Sequence, residues 1–183
     1  MRFSHLLSLA ALFCSSITFA HNFAANSPVA SVVVKDKGEL ILSGDKITYS
    51  TWDSSSLTGK VRVIQAIAGR SSAKELNAPM IEAIKAADLP KDKYQTTTII
   101  NKDDAIWGTG GFVTSSAEDS KREFSWSSIV LDAEGSVAKA WQLKKKSSAI
   151  IVLDQQGNVR FAKDGELTQT EIAQAMEIIN ALL

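Results

Sequence analysis

The residues best suited to chemistry follow an apolar, β-branched run at 61–67 and begin a predicted helix. Ser71 and Lys74 stand three residues apart, which places a hydroxyl and an amine on one helical turn. A lysine kept away from water can accept the proton of a serine hydroxyl and so activate it as a nucleophile. The spacing therefore admits a hydrolase with Ser71 as nucleophile and Lys74 as base, although no Ser-Asp-Asn or Lys-Thr-Gly partner segment is present.

The same segment supports other interpretations. Ser72 and Glu75 have the spacing of a capping box, in which each side chain bonds to the other residue's backbone amide at the start of a helix. Capping does not explain Arg70 and Lys74. Cations beside a helix N-terminus attract anions, carboxylates included, so these two residues are either an anion-binding pair or ordinary solvated cations.

Asn101, Asp103 and Asp104 follow one predicted strand, and Ser148 begins another. Because the carboxyl ends of adjacent parallel strands meet at one edge of a sheet, we expect these polar residues to lie beside Arg70 and Lys74. Asp103 and Asp104 could balance the cations, hold a divalent metal or accept protons. Two adjacent acids without a histidine favour a loop salt bridge over a metal site. The candidate ligand-binding set is Arg70, Ser71, Lys74, Asn101, Asp103, Asp104, Trp107 and Ser148.

Trp107 precedes a glycine-rich stretch, with Gly108, Gly110 and Gly111 in close succession. This stretch is either a mobile flap over the predicted edge or a turn that buries the indole. The sequence leaves both interpretations open.

The composition excludes several classes of function. Cys14 is the only cysteine in 183 residues. Disulfide exchange needs a thiolate, and a serine hydroxyl has neither the acidity nor the redox states to replace it, so we reject thiol oxidoreductase and peroxidase activity. Twenty cationic side chains balance twenty acidic ones, which gives no field suited to nucleic acid. We predict neither a cofactor nor a bound metal.

The first twenty residues read as a cleavable export signal. Arg2 precedes an apolar run from Leu6, and Thr18-Phe19-Ala20 has the small-residue spacing of a cleavage site before His21. The run is too short and too interrupted by serine for a good membrane span. We therefore expect a periplasmic protein with Cys14 removed, and one domain over 21–183.

The periodicity of the chain predicts a mixed α/β sheet. An N-terminal hairpin is expected from strands at 31–34 and 39–42 joined by a turn at Asp36-Lys37-Gly38, followed by a strand at 61–67. A helix is predicted over 72–87, with Pro79 kinking or interrupting it. A strand at 95–101 and a helix at 115–123 come next. Two similar segments, 129–137 and 151–159, each give a strand ending in an Asp-x-x-Gly hairpin turn, and Thr168 caps a final helix. This order predicts a sheet with a parallel centre.

Several blocks carry a specific resemblance: GKVRV, AGRSSAKE, YQTTTIINKDDAI, AWQL, SSAIIVLD and AKDGELT. They resemble the YtfJ family of exported bacterial proteins over nearly the whole chain after residue 20. That family is similar to thioredoxin-fold proteins, in which a C-x-x-C pair would occupy the positions of Ser71 to Lys74 and a cis-proline would lie near Ser148. The resemblance implies a thioredoxin-like fold and an exported location, and it implies no reaction.

These observations together predict a monomeric or weakly associating protein without redox chemistry. We expect it to bind a protein, a peptide or a small anionic ligand at the edge that holds the active site in thioredoxin-fold enzymes. The alternatives are the Ser71/Lys74 hydrolase and an accessory subunit of a periplasmic assembly that is recognised through its outer surface.

Overall fold

The structure, a computed structural model, describes residues 21–183, so the predicted export signal at 1–20 lies outside the described residues. Seven strands and five α-helices follow one another in the described chain. In order they are β1 (Val33–Ser43), β2 (Lys46–Asp53), β3 (Val61–Ala68), α1 (Ser71–Leu76), α2 (Ala78–Ala86), β4 (Tyr94–Asn101), α3 (Gly110–Glu123), β5 (Ser128–Asp132), α4 (Ser136–Trp141), β6 (Ser148–Leu153), β7 (Val159–Asp164) and α5 (Gln169–Leu182).

The strands form one sheet in the order β2-β1-β5-β4-β3-β6-β7. β4 runs parallel to both β3 and β5, and the remaining pairs are antiparallel. The predicted parallel centre is therefore confirmed. β3 is buried along almost its whole length, which is the behaviour of an apolar run that is covered on both faces of a parallel sheet.

The N-terminal strand pair is present, but its predicted turn is wrong. Asp36, Lys37 and Gly38 lie inside the long strand β1, where the pairing with β2 shifts register between Val34 and Glu39. Gly38 has φ +79°, the left-handed value that a bulge glycine supplies without steric cost. The chain reverses instead at Gly44, between β1 and β2. A bulge and a turn draw on the same residue types, so composition alone did not separate them.

The predicted interruption at Pro79 is confirmed. α1 ends at Leu76, Asn77 has non-helical dihedral angles, and α2 begins at Ala78 with Pro79 in its first turn. Proline lacks an N–H and is tolerated only where that donor would have no helical partner, so the break falls just before it. The second predicted helix also forms, but it begins at Gly110, five residues before the expected start.

The two Asp-x-x-Gly segments have different structures. The second joins β6 and β7 in a hairpin, as predicted. The first was predicted to be a hairpin turn, and this prediction is wrong. The segment leads from β5 into α4. The carboxylate of Asp132 accepts hydrogen bonds from the backbone N–H groups of Ser136 (2.9 Å) and Val137 (2.8 Å), so it satisfies donors at the start of that helix. Burial raises the pKa of Asp132, and these two donors partly oppose the rise.

The helices cover the two faces of the sheet unequally. α4 packs on one face with Trp141 against the even-numbered residues of β3, such as Ile64. On the opposite face α2 and α5 pack together over β3 and β6, and α3 packs separately over β1 and β5 through Val113 and Ala117. The face of β4 between α2 and α3 consequently has no helix over it.

The C-terminal helix has the predicted Thr168 cap, and its stability should depend on pH. Glu171 completes a capping box with Thr168 and pairs with Lys163 (2.6 Å), which together lower the Glu171 pKa to about 2. A lowered pKa gives stability that is present above the unfolded value near 4.5 and is lost as the pH falls towards 2. Glu171→Gln should therefore lower the free energy of unfolding by about 1 kcal/mol at pH 7 and by less at pH 3. Urea unfolding at both values measures this, and an equal loss would contradict it.

Candidate functional site

The strand–helix junction that holds Ser71 and Lys74 differs locally from the prediction. α1 begins at Ser71, directly after Arg70 in extended conformation, and no side chain caps it. The predicted Ser72–Glu75 capping box is therefore wrong. The helix starts two residues earlier than that motif requires, because Arg70 takes the N-cap position and its carbonyl oxygen accepts from the Lys74 N–H (3.2 Å).

Arg70 joins the predicted edge through Asp104. Its Nη2 donates to Asp104 Oδ1 at 3.0 Å, and its Nε donates to the Asp104 carbonyl oxygen at 2.7 Å. The second carboxylate oxygen accepts from the backbone N–H of Lys146. Asp104 thus ties together the loops after β3 and β4 and the loop before β6, with both members of the ion pair mostly buried. This is the loop salt bridge predicted for the acidic pair.

Asn101 and Asp103 complete this edge without forming a ligand cluster. The Asn101 backbone oxygen accepts from the Gly69 N–H (2.8 Å), and its side chain accepts from the Asp104 N–H (3.3 Å). Asp103 is exposed on the outer side, beside Gly135. Over residues 21–183 no group of three or more histidine, cysteine or acidic side chains is placed to hold a metal ion.

Ser148 pairs with Ile67 near the same edge of the sheet, but its side chain is directed away from the other candidates. It is fully buried at the start of β6, and its hydroxyl and carbonyl oxygens both accept from the amide of Asn77 (3.1 Å each). The Asn77 amide also donates to the Gly165 carbonyl, and its Oδ1 accepts from the Leu167 N–H, at 3.1 Å in both cases. Ser148 therefore helps to anchor the break between α1 and α2, and it does not face solvent.

A groove of about 700 Å³ lies between α2 and α3, and we call it the α2–α3 groove. Its floor is the uncovered face of β4 together with neighbouring residues of β3 and β5, and Arg70, Ser71 and Lys74 line it just after the end of β3. The apolar and aromatic side chains lining it are Ile67, Ala68, Ile81, Ile84, Leu89, Tyr94, Ile100, Ile106, Phe112, Val113, Phe124, Trp126 and Ile129.

The charged side chains of the groove are mainly cationic. Four cations line it, Arg70, Lys74, Lys85 and Lys91, against the single carboxylate of Asp88. Arg70 is paired with Asp104 and Lys85 with Glu82 (2.9 Å). No carboxylate of residues 21–183 lies within salt-bridge distance of Lys74. The groove therefore offers positive charge to a ligand.

Gln65 provides an unused hydrogen-bond donor in the groove floor. It lies on β3, its side chain is 6% exposed, and its Nε2 has no hydrogen-bond partner. A buried donor without a partner costs free energy, so nearly all such groups in folded proteins are satisfied. The orphaned amide marks a position at which an acceptor from a ligand would be stabilised.

The loop before α3 and the first turn of α3 form an exposed apolar lip on the groove. Phe112 is 73% exposed and Ile106 is 56% exposed, and both line the groove. Trp107 stands between them in sequence at 97% exposure, so its indole is not buried. Thr109 also lines the groove, while Gly110 and Gly111 belong to α3.

Sequence reasoning identified the residues Arg70 to Lys74 at one end of the groove, but it did not identify the residues of α2, β4 and α3 that form the rest of its lining. Asn101, Asp103, Asp104, Trp107 and Ser148 do not line it. The signal that was present is the polar alternation of Thr96 and Thr98 in a strand at the centre of a sheet, where both faces are normally apolar.

The architecture is that of thioredoxin-like proteins, so the predicted fold class is confirmed. A thioredoxin-like superfamily protein superposes with a TM-score of 0.55 at 17% identity, covering 87% of this chain and 96% of that one. A thiol-disulfide isomerase from Corynebacterium glutamicum gives 0.52 at 18% identity, with 88% and 97% covered. Such low identity shows the fold alone. This chain has a thioredoxin-like fold with one cysteine, and it cannot form a disulfide within itself.

The chain belongs to a bacterial family of unknown function, YtfJ_HI0045, whose model matches residues 23–182. The uncharacterized protein YtfJ of Escherichia coli K12 is 49% identical over 183 residues, with both chains covered completely. An uncharacterized protein of Haemophilus influenzae is 48% identical over 168 residues, which covers 92% of this chain and 91% of that one. The predicted family resemblance is confirmed. No helix of residues 21–183 is long and apolar enough to cross a membrane.

Proposed function

We propose that this protein is a periplasmic binding protein without redox activity, which takes a protein, peptide or small anionic ligand where the α2–α3 groove meets the Arg70–Lys74 junction. The observation that carries the proposal is the groove itself. It is an apolar concavity with a few convergent polar groups, which is the usual form of a ligand site, and Arg70 and Lys74 line it just after the end of β3.

The absence of dithiol chemistry follows from the residues present. Thiol–disulfide exchange requires one thiolate to attack and a second sulfur to resolve the mixed disulfide. The junction carries Ser71 and Lys74 instead, and the one cysteine belongs to the proposed export signal. A binding role uses the same junction without any electron transfer.

The geometry gives the hydrolase alternative no support. Ser71 and Lys74 are both exposed, and no hydrogen bond within residues 21–183 joins their side chains. A lysine that serves as general base has to be desolvated, and the Lys74 amine is open to water. A binding protein needs neither condition, because an exposed cation can still attract an anionic ligand.

Native mass spectrometry of the protein isolated gently from a periplasmic extract tests this function. We expect a mature chain beginning at His21 with an additional bound mass. The double variant Arg70→Gln, Lys74→Gln should lose that mass, because it removes both cations that line the groove just after β3. Loss of this bound mass identifies the junction as the binding site.

The matched control for that experiment is Asp104→Asn. It breaks the same ion pair as the double variant and disturbs the same loop contacts, but it leaves both cations in place. The control should retain the bound mass. Retention by the double variant, or a wild-type chain without any bound mass, would contradict the proposed function.

A further inference from the structure

We propose that the α2–α3 groove binds a small amphipathic carboxylate as a single molecule, with its aliphatic chain over the floor of β4 and its carboxylate at the Gln65–Lys74 end. This inference rests on the proposed binding function and specifies the class of ligand.

The size and the walls of the groove fit an aliphatic chain. A volume of about 700 Å³ falls within the range of small-molecule sites. The walls contribute Ile81 and Ile84 from α2, and Phe112 and Val113 from α3. Phe112 and Ile106 expose most of their surface to water. A chain lying against them removes that apolar surface from water, which is the main source of affinity for such a ligand.

The floor of the groove disfavours an extended peptide. β4 is hydrogen-bonded to β3 on one side and to β5 on the other, so the backbone groups of all three strands point along the sheet. A peptide that binds by strand addition needs an open sheet edge. The groove lies over one face of the sheet, and the side chains of Thr96, Thr98 and Ile100 line it. Recognition here depends on side-chain contacts, and these suit an apolar chain.

The polar end of the groove fits a carboxylate. Gln65 lies three residues before the end of β3, and Lys74 lies in the helix that follows that strand. The Gln65 Nε2 is a buried donor without a partner, and Lys74 is a cation without a carboxylate partner in the described chain. A carboxylate has two oxygens, so it can accept from the amide and offset the charge of the lysine together.

The sign of the ligand's charge follows from the lining. Lys74, which has no carboxylate within salt-bridge distance in the described chain, attracts an anionic head group at this end of the groove and repels a cationic one. A neutral alcohol could use the Gln65 donor but would leave Lys74 without a counter-charge. The same chain length should therefore bind best as the carboxylate.

Isothermal titration calorimetry with octanoate, decanoate and dodecanoate tests the proposal, each below its micelle-forming concentration. The titrated protein is the full chain as the cell exports it, from which any co-purified ligand has been removed. We expect one site, and an affinity that rises about fourfold for each added methylene until the groove is full. Decylammonium should bind at least tenfold more weakly than decanoate.

Variants locate the site. Lys74→Gln should weaken decanoate binding about threefold at low salt, whereas the matched surface change Lys145→Gln should leave it unchanged. Gln65→Leu should weaken decanoate binding about tenfold and also raise the urea midpoint of the ligand-free protein, because it removes an orphaned donor. A general loss of structure would instead lower both the decanoate affinity and the urea midpoint. Thr98→Phe fills the floor and should reduce dodecanoate affinity at least tenfold.

Three results would overturn the proposal: an affinity that does not depend on chain length, a preference for decylammonium, or binding only to vesicles of anionic phospholipid. If the alkyl carboxylates fail while the mass retained from the periplasm still depends on Arg70 and Lys74, the ligand class is wrong and the binding function stands. If both are absent, the two proposals fail together.

Discussion

Asn77→Asp is expected to lower the free energy of unfolding by about 4 kcal/mol at pH 7. The Asn77 amide donates to the carbonyl oxygens of Ser148 and Gly165 and to the Ser148 hydroxyl, in a fully buried position. An aspartate carboxylate has no donor, so one of its oxygens would face the oxygen atoms that the Asn77 amide now bonds. It would also bury a negative charge without a partner. Because Asn77 holds the break between α1 and α2, the same change should also loosen the α2 wall of the groove.

The pH dependence distinguishes this mechanism from a simple packing defect. Burial would raise the pKa of the new carboxyl above its unfolded value near 3.9, so the penalty should be largest above the raised folded pKa and should shrink as the pH falls through it. Urea unfolding at pH 7 and pH 4 measures the change. Ser148→Ala, which removes only one acceptor, should cost about 1 kcal/mol at both values. A loss below 1 kcal/mol for Asn77→Asp at pH 7 would refute the account.

Gly38→Ala is expected to cost about 3 kcal/mol or more. Gly38 has φ +79°, which alanine adopts only with strain, and an added Cβ would overlap the Ser50 carbonyl oxygen and lie 2.9 Å from its carbonyl carbon. These are backbone atoms of the paired strand β2, so relief requires the bulge and its pairing to move. The urea midpoint of the variant measures the cost.

Gly44→Ala is the matched control for that change. Gly44 also has a positive φ, +58°, but nothing lies within 4 Å of an added Cβ. It should therefore show only the conformational cost of the left-handed region, about 1 kcal/mol. Equal losses at the two glycines would show that the contact with Ser50 contributes nothing.

The elements that sequence reasoning predicted best are those with a strong local pattern. The apolar run of β3 and the Thr168 cap of α5 are encoded by neighbouring residues, and Pro79 breaks its helix through its own covalent structure. The failures share a different cause. The turn placed at Gly38 and the hairpin placed at Gly135 were errors because glycine and acidic residues serve bulges, caps and turns alike, and long-range pairing selects among them.

The candidate site shows the same division. The meeting of Arg70 with Asp104 was predictable because parallel strands bring their carboxyl ends to one edge. Ser148 was placed at that edge by the order of the strands, but its hydroxyl turns inward to Asn77. Strand order brings a residue to one edge of the sheet, whereas the burial and the contacts of its side chain depend on what packs over that position.

The sequence by itself determined the lack of a thiol pair, the family, the parallel centre of the sheet and the cations that follow β3. Only the tertiary structure decided that a groove exists. α2 packs with α5 and α3 packs over β1 and β5, so the spacing between α2 and α3 is set by contacts far apart in the chain. No local sequence pattern predicts the uncovered face of β4, because it results from the positions at which α2 and α3 pack against other elements.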